Sequence, residues 1–378
     1  MPNSSLASLQ RGVSNTAVLG LVATSLIVGF LGSLALRAPG QGGHAAAGSE
    51  VALDVIKWKV PVAFPVTLPA LGDTPLLVAA LAKASSGGKT ELTIYEPGKL
   101  VPPNAITDAV KDRKVEAGYT WLGYDQGKIP ASPLFAAVPF GMEPWEFTAW
   151  WYEGGGKALG EKVYAEHGVV PILCGITGPE AAGWFRNEIK TLSDLNGLKI
   201  RFAGLGGKVL QSLGASVTVL PAGEIFGALE KNVIDASEFS MPAIDEKMGF
   251  YKIVKINYFP GWHQVFSAFH FVVHKDTWDK LGKGSQASIE SACTAGVLRS
   301  LSKGEAIQGK AIELYKANGV KTITLPDPVL RALQKASDKV LESESAANPL
   351  FKEVLESQRK FSAEYRNWKT LGYLPRNW

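Results

Sequence analysis

Two α/β lobes of similar plan are what the sequence predicts, on three observations. The composition can fill large cores, a strand-helix-strand-helix-strand pattern occurs twice, and the C-terminal region turns strongly helical. The chain has 378 residues, 46% of them apolar, 10% aromatic and only 20% charged. That balance excludes disordered, collagen-like and coiled-coil proteins, and the length suits one large two-lobed domain or two ordinary ones. The formal charge is +4, from 39 basic and 35 acidic residues, and nothing in it points to nucleic acid.

The first 47 residues read as an address. From Thr16 to Leu36 the chain is apolar and uncharged, with Arg11 before it and Ala45-Ala46-Ala47 after it, the pattern of a secretory signal peptide with an A-x-A cleavage site. The run is also long enough to span a bilayer, so an uncleaved N-terminal anchor is the alternative for residues 1–47. Either reading places Val51 onward in the periplasm, free or tethered to the inner membrane. No later uncharged apolar run reaches the span length of about 18 residues, so the body is expected to be soluble.

Alternation in Ile56-Lys57-Trp58-Lys59-Val60 predicts a strand, and Asp73-Thr74-Pro75 ahead of Leu76-Leu77-Val78 predicts a capped helix with proline in its first turn. A strand at Leu92–Tyr95, a short helix at Ala105–Asp112 and a strand at Val115–Tyr119 complete the first run. The second run has strands at Leu198–Phe202, Ser216–Leu220 and Ile234–Glu238, with helices at Lys208–Leu213 and Glu224–Glu230 between them. At an offset of 119 the runs align Pro102 with Pro221, Ile106 with Ile225, Ala109 with Ala228, Val110 with Leu229, Val115 with Ile234 and Ala117 with Ala236. Two such lobes frame a ligand cleft at the carboxyl ends of their strands, where open α/β sheets present binding groups. Those ends carry Thr120, Trp121 and Tyr124 on one side, and Glu238, Phe239 and Ser240 on the other.

Beyond Asp327 the pattern is helical. After Asn348-Pro349, the residues Phe351, Val354, Leu355, Phe361, Tyr365 and Trp368 recur at helical spacing over about five turns. This amphipathic helix, within residues 349–378, packs on its own lobe or serves as a dimerisation element. Cys174 and Cys293 cannot make a disulfide scaffold for a chain of this size, and no C-x-x-C pair is present to hold zinc. Cys174 follows an apolar run and is expected to be a small buried hydrophobe, with a single bridge as the alternative.

Catalytic motifs are missing. Lys83–Thr90 resembles a phosphate loop but lacks its first glycine and has the helix before and the strand after. Gly204-Leu205-Gly206-Gly207-Lys208 follows a strand and opens a helix, and reads as a close-packed turn rather than an anion cradle. His270 and His274 sit in a strand, about 13 Å apart at the strand rise, and cannot share an ion. With no H-E-x-x-H, no G-x-S-x-G and no nucleophile–base pair, no enzyme is expected and no catalytic cofactor.

What remains is recognition chemistry. Arg201 ends a strand, where a guanidinium offers two parallel donors to a carboxylate. Glu180 and Glu238 fall at strand exits on the cleft side. Two carboxylates beside a carboxylate ligand repel unless a cation sits among them, and hard oxygen donors suit Na⁺ or Ca²⁺; a solvated pair of glutamates is the alternative.

Several segments together resemble the solute-binding proteins of tripartite ATP-independent periplasmic (TRAP) transporters, in the branch similar to 2-oxo-acid and monocarboxylate binders. They are Ala137-Val138-Pro139-Phe140-Gly141, Gly183-Trp184-Phe185-Arg186, Asp194–Arg201, Ala228-Leu229-Glu230 with Ile234-Asp235-Ala236, Gly249-Phe250-Tyr251-Lys252, and Pro260-Gly261-Trp262-His263. The resemblance runs from about Ile56 to Trp368. It implies a two-lobed periplasmic-binding-protein-like fold with mixed sheets, a long connecting helix and an extra C-terminal helix. Lobe I is then 52–176 with 267–306, and lobe II with the connecting helices 177–266 with 307–348. It further implies that Arg201 meets the ligand carboxylate, and that a cation lies between Glu180, Glu238 and the main-chain carbonyl of Phe239. The similar binders carry glutamine at the position of Glu180 and tryptophan at that of Phe239. A carbonyl survives the second change, whereas Glu180 adds a charge that favours a divalent ion. Tyr124, Trp121, Phe239, His263 and Gln264 are implied as walls of the ligand site, and TRAP membrane permease subunits as partners.

Overall fold

In the computed structural model, which describes residues 53–374, each of the two runs contributes to a separate lobe. The signal peptide or anchor expected at 1–47 lies outside the described residues. The first lobe opens with β1 (Ile56–Pro61), α1 (Thr74–Ser85), β2 (Thr90–Tyr95), α2 (Ile106–Lys111) and β3 (Ala117–Trp121), then α3 (Pro144–Glu153), α4 (Gly156–Ala165) and the long β4 (Val169–Thr177). The second contains β5 (Gly183–Phe185), β6 (Lys199–Arg201), α5 (Gly204–Ser212), β7 (Ser216–Thr218), α6 (Ala222–Glu230), β8 (Ala236–Ser237), α7 (Pro242–Met248) and β9 (Ile256–Phe259). The chain returns to the first lobe on β10 (Ser267–His274) and α8 (Lys275–Asp279). It then runs through α9 (Lys283–Ala317) to β11 (Lys321–Thr324), α10 (Asp327–Ala347) and α11 (Pro349–Gly372).

Both lobes carry mixed sheets. In the first, β10 runs antiparallel to β3 and β4, and a parallel bridge from Val62 to Tyr119 ties in the parallel pair β1–β2. The second is a six-stranded sheet in the order β11-β9-β5-β8-β6-β7, in which β5 alone runs against its neighbours. The paired strands β4 and β10 and the 35-residue helix α9 are the connections between the lobes. At 1.5 Å per residue α9 is about 50 Å long, and it packs on α1 and β4 at one end and on α7 and β11 at the other. The expected lobe boundary at 306/307 therefore falls inside a continuous helix.

The internal repeat extends to backbone detail. Pro102 and Pro221 both take extended conformations ahead of their helices, at φ −58°, ψ 143° and φ −58°, ψ 154°. Arg113 and Asn232, again 119 apart, both end the helical segment in the left-handed region, at φ 58° and 56°. The amide of Lys114 donates to Ala109 O at 2.9 Å, and that of Val233 to Ala228 O at 2.9 Å. The helix-to-strand turn is thus built the same way in both lobes, ahead of β3 in one and β8 in the other.

Some elements start or stop elsewhere than the sequence pattern suggests. The helix expected from Lys208 begins at Gly204, because the glycines form its first turn. A Cβ on Gly206 would lie 2.5 Å from the Phe202 ring and 2.7 Å from His263 Cβ, so this segment is a close-packed turn. The C-terminal helix is longer than five turns, at 24 residues. Its first half packs on the first lobe through Phe351, Val354 and Leu355, with Gln358 Nε2 donating to Leu134 O at 2.6 Å. The outer half leaves Trp368 60% and Leu371 87% exposed.

The cysteines correct the expectation of two free thiols: Cys174 and Cys293 form a disulfide. Cys174 lies on β4 and Cys293 on α9. Gly296, one turn further along α9, permits the close approach, since a Cβ there would sit 2.5 Å from Cys174 O. Sequence spacing carries no signal for this crossing. The bridge closes a loop spanning 119 residues, for which the chain-entropy model gives a stabilisation of about 4–5 kcal/mol, within a usual range of about 2–5. The double variant Cys174→Ala/Cys293→Ala is therefore expected to unfold at lower urea with a loss of roughly 2–5 kcal/mol. Thiol titration of the native protein should find no free cysteine.

Candidate functional site

The ends of β3, β4, β6 and β8 and the start of β10 meet at one cavity between the lobes. It holds about 300 Å³ of space between atoms. The second lobe supplies the polar floor, Arg201, Glu238 and Ser240 with Glu180 and Gln264 from the connecting segments. The apolar walls come mostly from the first, through Phe64, Trp121, Tyr124 and Phe269.

Arg201 is 2% exposed, and protein acceptors hold two of its nitrogens. Nε donates to Leu220 O at 3.2 Å, and Nη1 donates to Glu238 O at 2.9 Å and to Glu238 Oε1 at 2.5 Å. The guanidinium carbon lies 5.7 Å from the centre of the Phe239 ring, in cation–π range. The Tyr124 hydroxyl also faces this guanidinium; burial pushes its pKa up to about 12 against the opposing pull of the Arg201 charge.

Glu238 connects the site. Its Oε1 accepts from Arg201 and from the Ala203 amide at 2.8 Å. Its Oε2 has no hydrogen-bond partner, with His263 Nε2 3.6 Å away. Burial raises the carboxyl's pKa, but the Arg201 charge and the contact with His263 outweigh it, so the group is held below its ordinary 4.5. Glu180 has no such cation. Burial first, then the charges of Glu238 and Asp245, push its carboxyl well above the ordinary value, against weaker hydrogen bonds from Ser267 and Ser240. Asp245 is also raised well above its ordinary 3.8 by burial, although Trp184 Nε1 donates to it at 2.8 Å and the Ser240 amide at 3.0 Å.

Backbone contacts fix where Glu180 sits. Its carbonyl accepts from the Gly261 amide at 2.9 Å, and its amide donates to Gln264 O at 3.3 Å. A Cβ at Gly261 would collide with the Glu180 carbonyl carbon at 2.7 Å, so only glycine permits this clamp. The Gln264 amide lies against the Glu180 carboxylate; with its nitrogen inward it donates to Glu180 Oε1 at 3.3 Å and to Ser267 Oγ at 3.2 Å. With its oxygen inward it adds a further hard acceptor to the cluster. One ligand atom each from Glu180, Glu238 and His263 lie within 4.8 Å of one another, all buried. Three buried carboxylates face a single guanidinium. With the unpartnered Glu238 Oε2, this donor set fits a cation.

Six of the expected wall and binding residues, Arg201, Tyr124, Trp121, Glu180, Phe239 and Gln264, line this cavity together with Glu238. His263 does not; it lies behind Glu238, its ring 4.5 Å from that of Phe202. Thr120 is buried within β3 opposite His270. Phe64, Ser267, Phe269 and the supporting Asp245 carried no sequence signal for a site. Asp245 alone could have been suspected, as an acid beside Met241 and Ile244 on a buried helix face.

A family model for bacterial extracellular solute-binding proteins, family 7 (DctP), matches residues 67–347. A monocarboxylate 2-oxoacid-binding periplasmic protein of Nostoc sp. PCC 7120 is 34% identical over 325 residues, 86% of this chain and 89% of the relative. A TRAP transporter solute-binding protein from Bordetella bronchiseptica, a mixed-occupancy dimer with co-purified calcium and picolinate in one site and the other apo, superposes with a TM-score of 0.82. It is 32% identical, over 83% of this chain and 94% of that one. The TRAP periplasmic solute-binding protein of Pseudoalteromonas atlantica with bound sodium and pyruvate gives 0.80 and 32%, over 83% and 95%. Fold, cleft and sequence agree: the chain belongs to the bacterial extracellular solute-binding proteins of family 7, the receptors of TRAP transporters.

Proposed function

We propose that this receptor works in the periplasm, closes on a small monocarboxylate or 2-oxo acid together with a cation, and delivers the acid to the permease subunits of a TRAP transporter. The observation that carries the reading is the charge imbalance at the cavity. Glu180 and Glu238 line it with one guanidinium, with Asp245 buried behind them, and bringing in a further carboxylate without a cation would add an uncompensated charge at low dielectric. The cation would be held by carboxylate oxygens of Glu180 and Glu238 and the main-chain carbonyl of Phe239, with the ligand completing its shell. Arg201 would meet the ligand carboxylate through Nη2. The relatives with calcium or sodium beside pyruvate or picolinate support the same pairing. No bond is made or broken in this reading; closure is a shift between open and closed populations paid for by contacts to both lobes.

A second carboxylate at the cation position favours a divalent ion. In calorimetry, Ca²⁺ is expected to support pyruvate binding better than Na⁺, and Glu180→Gln to narrow or reverse that order. Arg201→Ala is expected to lose at least about 100-fold in affinity, as for a charge-assisted contact removed from a buried site; unchanged binding would refute the assignment.

The acids also set a pH dependence for the chelator-treated protein. A carboxyl with a raised folded-state pKa keeps its proton longer in the folded than in the unfolded chain. Its contribution is full below the ordinary carboxylate range and is lost as the pH rises toward the folded value. Glu180 and Asp245 act in this direction above about pH 4.5, while Glu238, held low, contributes above 4.5 and is lost only in more acid solution. Urea midpoints without a cation are therefore expected to fall between pH 5 and 8, and saturating Ca²⁺ to flatten that fall.

The exposed outer half of α11 is where we place self-association, with the dimeric Bordetella relative as support. Leu371→Ser with Trp368→Ser is expected to shift sedimentation toward monomer and leave ligand affinity unchanged.

A further inference from the structure

Of the side chains lining the cavity, two carry a buried polar atom without a hydrogen-bond partner: Glu238, at the acceptor Oε2, and Trp121, at a donor. The indole nitrogen of Trp121 is buried without a hydrogen-bond partner, although the residue lines the cavity and is only 4% exposed. Its ring has no freedom to turn away. A Cβ on Gly123 would sit 2.1 Å from Cζ3 and 2.6 Å from Cε3, and one on Gly204 would sit 2.8 Å from Cη2, so two glycines are needed to seat the six-membered edge. Gly204 holds φ at +66° to make its side of the slot. Tyr124 meets the indole edge-on, with ring centres 5.3 Å apart. Nε1 therefore lies on the side of the ring away from Gly123. Gly204 follows Arg201 by three residues, which places the indole just above the segment that carries the guanidinium.

A buried donor left unpaired costs about 1–3 kcal/mol, and native proteins seldom keep one without a use. Indole N–H donates only, so its partner must be an acceptor. We propose that Trp121 Nε1 is a specificity-determining donor. It receives an oxygen on the ligand's carbon chain beyond the carboxylate and 2-oxo group, so the preferred ligand is a short 2-oxo acid with a hydroxyl or carbonyl oxygen on its tail, not one with a plain alkyl tail. This rests on the carboxylate-and-cation reading above and adds the end of the ligand that reading leaves undefined. An ammonium tail is excluded by the same rule, since it offers donors alone.

The test compares 3-hydroxypyruvate with 2-oxobutyrate, which differ by a hydroxyl in place of a methyl group, with pyruvate as reference, by calorimetry in saturating Ca²⁺. The native protein is expected to prefer hydroxypyruvate over 2-oxobutyrate by about tenfold or more, on the scale of a site built to bond a polar group. Trp121→Phe keeps an aromatic ring in the glycine slot. It is expected to erase the preference; the readout is the ratio of the hydroxypyruvate and 2-oxobutyrate affinities, with pyruvate affinity measured beside them so that any general weakening of the site is divided out. In the native protein the Trp121 indole N–H resonance, assigned by its loss in the variant, should move downfield on adding hydroxypyruvate and not on adding 2-oxobutyrate. Equal affinities in the native protein, or a preference that survives in Trp121→Phe, overturn the proposal while pyruvate binding leaves the underlying reading intact. Failure of all three acids to bind overturns both.

Discussion

The bond from Arg201 to Glu238 organises everything around it. Both side chains are almost wholly buried and 2.5 Å apart, and breaking such a pair by removing one partner costs about 3–5 kcal/mol because the survivor is left charged in a poor solvent. The pair holds because each member has other obligations. Arg201 is pinned by two carbonyls, and Glu238 by the Ala203 amide. Those anchors come from just beyond the ends of β6, β7 and β8, parallel neighbours in one sheet. A guanidinium fixed by its own sheet can present its remaining nitrogen to a ligand with little further loss of side-chain entropy, which is the physical meaning of preorganisation here.

The first lobe contributes shape more than charge. The repeated turn that ends in Arg113 and Asn232 sends β3 and β8 toward the same gap, yet the strand ends differ in chemistry. One delivers Trp121 and Tyr124, the other Glu238, Phe239 and Ser240. A duplicated backbone therefore carries two specialised halves, aromatic and polar. The disulfide fixes α9 to β4 within the first lobe, so the helix that joins both lobes is anchored at one side and packs without a covalent link on α7 and β11 at the other.

Much of this was legible before any coordinates. Strand and helix periodicity located the paired runs, and their offset of 119 holds down to the left-handed residues that close each turn. The exit positions of Arg201, Glu180 and Glu238 followed from where strands end. Other features depend on approach distances that spacing does not encode. The disulfide needs Gly296 to let a helix rest on a strand, and the clamp on Glu180 needs Gly261, two glycines that look like any others in the chain. Phe64 and Phe269 are ordinary apolar residues until the sheets are stacked. His263 sits next to a cavity residue in sequence but lies in a turn, which packs its ring on Phe202 behind Glu238 rather than in the cavity lining.

Glu180 decides how the site behaves as a whole. Against Glu238 it can keep a proton or share a cation, and these two states compete because each neutralises the same charge. The Gln264 amide can serve either side, donating to the carboxylate or turning its oxygen inward. With Asp245 already satisfied by Trp184 and the Ser240 amide, Glu180 is the carboxylate whose partner must change when an anion enters. Affinity for the acid is then tied to affinity for the ion by thermodynamic reciprocity, so each strengthens the other by the same factor. In the proposed complex the receptor's response to its ligand would rest on Glu180 and the charge that answers it.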